Sequence, residues 1–188
     1  MKLIITSLLI SMSVFNFAIA GQAVVTTINA YVPKDFSVAD QYDADINQDG
    51  FNDKILVLTD KREGLPAQTE EGHRRLLVIL LGTNEGFTKV FEADRVVYCK
   101  TCGGMMGDPY VRIAIKPPFF TVEHYGGSAW RWKRYTTFKY SKEQKIFLLH
   151  KDGHEFFHAS LPNKIQKIIQ TSKNFGRVEM QDFDIYKE

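Results

Sequence analysis

The sequence predicts a mainly β protein. About nine strands form an antiparallel meander of hairpins, folded as a curved sheet or sandwich, with little helix after an N-terminal leader. Three observations carry this. Apolar runs have strand length rather than helix length, as in Lys54–Thr59 and Arg75–Leu81. Other runs alternate, as in Tyr110–Ile115, where Val111, Ile113 and Ile115 share one face. Turn residues separate the runs, at Gly82–Gly86, Pro117-Pro118 and Gly126-Gly127-Ser128.

Taken in order, residues 1–20 read as a secretory signal. Lys2 supplies the positive charge, Leu3–Phe17 is apolar, and Ala18-Ile19-Ala20 fits a small-x-small cleavage site. The stretch is short for a membrane span. Cleavage after Ala20 leaves residues 21–188 as a single β-rich domain, periplasmic or secreted, with no stable membrane span. Phe36–Tyr42 is extended, Lys54–Thr59 follows, and Glu63–Gly72 is a polar loop holding Pro66. Arg75–Leu81 is apolar on both faces and is expected to be a central, covered strand. Phe87–Phe91, Val96–Tyr98, Tyr110–Ile115, Phe119–Tyr125, Trp130–Tyr140, Lys145–Leu149 and Arg177–Ile185 read as the remaining strands. Between Ser160 and Ser172, Leu161, Ile165, Ile168 and Ile169 suit one helical face. They also suit a hairpin turning at Pro162-Asn163, which is favoured.

The whole chain holds 24 Lys and Arg against 22 Asp and Glu. With so small an imbalance and no basic cluster, nucleic acid is not the expected ligand.

The most specific pattern is Asp45-Ile46-Asn47-Gln48-Asp49-Gly50-Phe51-Asn52-Asp53. Side-chain oxygens of Asp45, Asn47, Asp49 and Asp53, with the Phe51 carbonyl, can surround one hard cation, and Gly50 allows the sharp turn. All donors are oxygen, so calcium is the expected ion. Leu56 stands where an EF-hand needs a bidentate Glu, and a β-branched run follows instead of a helix. The stretch resembles the hairpin-borne calcium loops of FG-GAP (VCBS-type) repeats. A propeller needs several blades of about 40 residues, and the motif occurs once.

Cys99-Lys100-Thr101-Cys102 is followed by Gly103–Pro109, a loop sequence rather than a helix start. A structural disulfide in an oxidising compartment is therefore favoured over a redox pair. Tyr125-Gly126-Gly127-Ser128-Ala129-Trp130-Arg131-Trp132 places Trp130, Trp132, Phe138 and Tyr140 on one strand face. That face is either core or an aromatic platform for glycan or peptide, with Arg131 and Tyr125 beside it. Together, the calcium-loop motif, the CxxCGGxxGDP loop and the YGGSxWRW strand resemble a family of small bacterial secreted or lipoprotein-like domains. The resemblance spans roughly Pro33 to Tyr140. It implies the fold and no mechanism.

His154-Glu155-Phe156-Phe157-His158 matches the HExxH signature of zinc hydrolases. On a helix, His154 and His158 would bind zinc, with Glu155 as general base and His150 or Glu179 as third ligand. Asp152, Gly153 and Pro162 argue against a helix there, so zinc is not the expected cofactor. The functional expectation is a calcium-stabilised, non-catalytic module binding another envelope or secreted protein, in an accessory or toxin-immunity-like role. Two alternatives stand beside it, a zinc-dependent hydrolase and a cell-wall glycan binder using Trp130 and Trp132.

Overall fold

The apolar residues of the second and third strands alternate between two different partners, which makes these strands central. A computed structural model describes residues 27–65 and 72–187; the leader at 1–20 lies outside them. Strands β1 (Phe36–Ala44), β2 (Asp53–Asp60), β3 (Leu76–Thr83) and β4 (Gly86–Ala93) form an antiparallel sheet in that order. Ile55, Val57, Leu77 and Ile79 enter the main core. Leu56, Leu58, Val78 and Leu80 face the other way, under Ile28, Tyr31 and Val32 of the 3-10 turn at Ile28–Tyr31 and its flank. Burial of both faces explains why β3 reads as a continuous apolar run.

Strands β5 (Tyr110–Lys116), β6 (Phe119–Gly127), β7 (Trp130–Ser141), β8 (Ile146–His158) and β9 (Gln166–Thr171) make a second antiparallel sheet, again in sequence order. Phe120, Val122, Phe138, Tyr140, Phe147 and Leu149 fill the core it shares with the first sheet. The protein is thus mainly β, with nine antiparallel strands in two sheets among the described residues. A short α-helix, α1, spans Ser172–Phe175. Among the described residues no helix is long and apolar enough to cross a membrane.

Three elements differ from the sequence expectation. Val96–Tyr98 is not a strand. Val96 and Val97 are fully buried in a bent connection that contributes to the core. Arg177–Ile185 is not a strand either. A single bridge, Leu148 to Glu179, ties it to β8, after which it turns and buries Met180, Phe183 and Ile185. β8 runs nine residues past the expected end at Leu149, to His158. The cause is a bulge. Thr137 pairs with Lys151 but Phe138 with Leu149, so His150 is an extra residue that reverses the inward-facing parity. The Ser160–Ser172 region is the β8–β9 hairpin, turning through Leu161–Lys164.

Candidate functional site

The β1–β2 connection is built from its own side chains. Asp45 Oδ1 accepts the Asp49 N–H (2.9 Å) and Oδ2 the Gly50 N–H (3.0 Å). Asn47 Oδ1 also accepts from Asp49 N–H (3.0 Å), and Asp49 Oδ1 accepts from Phe51 N–H (2.9 Å). Gly50 has φ +95°, which a side chain would strain. The oxygens of Asp45 and Asn47 therefore meet at one amide, with the Asp49 carboxylate 2.7 Å from Asn47 Nδ2.

Asp53 behaves differently. It is fully buried, and its carboxylate accepts the N–H groups of Ile46 (2.8 Å), Asn47 (3.2 Å) and Gly82 (2.9 Å). Burial pushes its carboxyl up, the three amides pull it back, and the Asp49 charge adds to the rise. Asp53 thus fastens the loop to β3, where Gly82 leaves no room for a Cβ against the Asn52 carbonyl. Among the described residues, no three His, Cys, Asp or Glu side chains gather as a metal would need. Asp49 and Phe51 are exposed and Asp45 is half-buried, whereas Asn47 is buried with its side-chain oxygen engaged by the Asp49 N–H.

The HExxH residues lie on the continuous strand β8. Successive side chains alternate, so Glu155 faces away from His154 and His158. Those two histidines stand four residues apart, about 13 Å at strand rise. Each imidazole has its own setting. His154 Nε2 sits 3.4 Å from Asp152 Oδ2, His158 packs edge-on to Trp130 with its Nδ1 accepting from Ser160 N–H, and His150 packs on Phe119. Glu155 is paired with Lys167 (2.7 Å) and lies 3.8 Å from Lys133. With Tyr135, Glu123 and Lys151 it borders an open depression of ≈ 320 Å³ at Gly153. Glu179 pairs with Arg177. This geometry gives the motif no shared metal position.

Cys99 and Cys102 form a disulfide. The loop it opens is seated on the β6–β7 hairpin: Gly127 N–H donates to the Gly103 carbonyl (2.9 Å) and Tyr125 N–H to the Pro109 carbonyl (2.8 Å). Gly126 is needed there because a Cβ would strike the Trp132 ring. Trp132 also meets Tyr98 edge-on. The two cysteine- and tryptophan-bearing motifs, separate in sequence, are one structural unit. It leaves Met105 (88% exposed), Met106 and Trp130 (62%) uncovered. Arg131 has a buried Nη1 with no acceptor among the described residues.

Strand register extends this surface. Trp130 faces His158, Trp132 faces Phe156, and Arg134 faces His154, which in turn faces Ile168. These share the face that is core further along β7. The boundary is a polar network, which sequence reasoning missed because Arg134 looks like one more surface base. Arg134 and Asp152 are both buried and bidentately paired. Beyond them Trp130, Phe156 and Ile168 are open to solvent, as is Ile169 on the opposite face. Next to the network, His124 is fully enclosed and accepts from Tyr98 N–H. Burial, then the charges of Arg134 and Arg75, lower its pKa to about 3, so it is neutral at physiological pH.

Comparison with protein families, curated proteins and solved structures returns no match.

Proposed function

We propose that the chain is an exported, calcium-stabilised β domain acting as a non-catalytic binding module for another envelope or secreted protein, in an accessory or toxin-immunity-like role. The observation that supports it is the exposed surface of Met105, Met106, Trp130, Phe156 and Ile168, which begins where the disulfide loop meets the β6–β7 hairpin. Exposed indole and thioether groups are costly to leave in water and are the side chains that anchor protein interfaces. Export is supported by the leader-like residues 1–20 and by the disulfide. The glycan alternative needs two open indoles, whereas Trp132 is half-buried between Gly126 and Tyr98.

The test is capture. The immobilised domain is expected to retain one stoichiometric protein from the envelope or secreted fraction, and a Trp130→Ala, Met105→Ser variant to lose it. Equal retention by both, or retention of none, refutes the reading.

Calcium is assigned to Asp45, Asn47, Asp49 and the Phe51 carbonyl, with Asp53 holding the base of the loop. Calcium at ten times its dissociation constant is expected to stabilise the fold by about 1.4 kcal/mol, and magnesium far less. Asp45→Ala or Asp49→Ala should remove that increment. Identical melting curves in calcium and in chelator would refute the assignment.

A further inference from the structure

Edge strands expose a row of unpaired N–H and C=O groups, and proteins guard them with bulges, prolines and charge. Of the four edge strands among the described residues, three are bulged. β1 has an extra residue at Ala39, β4 at Val90 and β5 at Val111. β9 has none. It pairs with β8 in unbroken register from Phe156–Gln166 to Lys151–Thr171, and its far side has no partner strand among the described residues. It contains no proline, and its one charged residue, Lys167, is engaged with Glu155. Apolar side chains are exposed on both of its faces, Ile168 (51%) with Phe156 on one and Ile169 (61%) on the other.

We infer that β9 is an acceptor edge, to which an extended acidic segment of a partner protein adds as a further strand of the sheet. The inference rests on the binding-module reading and names the partner's chemistry. Backbone pairing selects an extended segment, and the open Ile168 and Ile169 select apolar side chains on it. Charge selects the rest: Lys167 is balanced by Glu155, but Lys164 and Lys173 stand at the two ends of the strand, and from Lys164 to Lys173 the chain carries no acidic residue. A second copy of this chain would bring two such basic strips together, whereas a carboxylate-bearing strand is complementary.

The probe is a fluorescein-labelled peptide of about eight residues alternating glutamate and valine, followed by anisotropy with the intact domain. Two controls separate the forces. One alternates lysine and valine; the other keeps the glutamates but has proline at two central valines, which removes strand pairing. The acidic peptide is expected to bind, and both controls to bind at least about tenfold more weakly. A Lys164→Glu, Lys173→Glu variant, and separately Ile168→Asp, should weaken binding by a similar factor with melting temperature unchanged.

Equal binding of the proline or the lysine peptide overturns the inference. So does a concentration-dependent dimer that Ile169→Asp dissolves, since that assigns the edge to a second copy. Absence of peptide binding by a domain that still captures a protein from the envelope or secreted fraction removes this inference and leaves the proposed function. Absence of both removes both.

Discussion

Replacing Asp152 by alanine is expected to destabilise the protein by about 3–5 kcal/mol, because it leaves a buried guanidinium without its counter-charge. Arg134 is 7% exposed and Asp152 6%. The pair is bidentate, at 3.2 Å from Nε and 2.8 Å from Nη2, and Thr136 Oγ1 donates to the same carboxylate. The remaining guanidinium nitrogen donates to Tyr98 Oη and the Ile185 carbonyl, both at 2.9 Å. Removal of the carboxylate thus strands a charge that the connection after β4 and the C-terminal segment are both tied to. Urea denaturation of the variant measures the loss, and a value under about 1 kcal/mol would refute the account. A double variant, Arg134→Met with Asp152→Leu, should recover much of it, since apolar replacement of a buried pair is often neutral.

The same carboxylate carries a pH signature. Burial pushes the Asp152 carboxyl up, but hydrogen bonds from His154 and Arg134 and the Arg134 charge hold it down to about 2, against an ordinary 3.8. Between those values the unfolded chain binds more protons than the folded one. Stability from this group is therefore complete above the ordinary value and lost as pH falls towards 2. Asp152→Ala should make the acid limb shallower over that interval.

What was legible in the sequence follows from how local each signal is. β3 declared itself because both its faces are buried, and β6 and β7 because Gly126-Gly127 stands between two runs of alternating character. The far half of β8 was not legible. The extra residue at His150 breaks its alternation, and the stretch beyond holds Asp152, Gly153, His154 and Glu155, whose partners come from β7 and β9. Val96, Val97 and Ile185 were recognisable as apolar but not as irregular, since bends in the chain that bury side chains leave no period to read. At the candidate site, the disulfide and the exposed tryptophan were readable as separate motifs. Their union depends on backbone bonds from Gly127 and Tyr125 to Gly103 and Pro109, which side-chain identities do not announce. The open edge of β9 was hidden for a similar reason: whether Ile168 is covered depends on how far the facing sheet reaches, and Ile169 lies on the other face.

Asp53 offers the sharpest separation of scaffold from ligand within the calcium-type loop. Asp53→Ala is expected to cost roughly 3–5 kcal/mol, because the amides of Ile46, Asn47 and Gly82 lose their acceptor together and each orphaned buried N–H costs about 1–3 kcal/mol. Ile46 and Asn47 lie in the loop and Gly82 at the end of β3, so the loss should loosen the junction between them. Asp53→Asn should fall between wild type and alanine. One amide oxygen can still accept, while the NH₂ group faces a backbone donor. The discriminating feature is independence from calcium. Asp45→Ala and Asp49→Ala are expected to remove the calcium-dependent increment, whereas Asp53→Ala should show its full loss in chelator as well. Thermal and urea unfolding of the three variants, each in calcium and in chelator, decides the matter. If Asp53→Ala were as stable as wild type in chelator, the three amides would not depend on that carboxylate and its scaffolding role would be refuted.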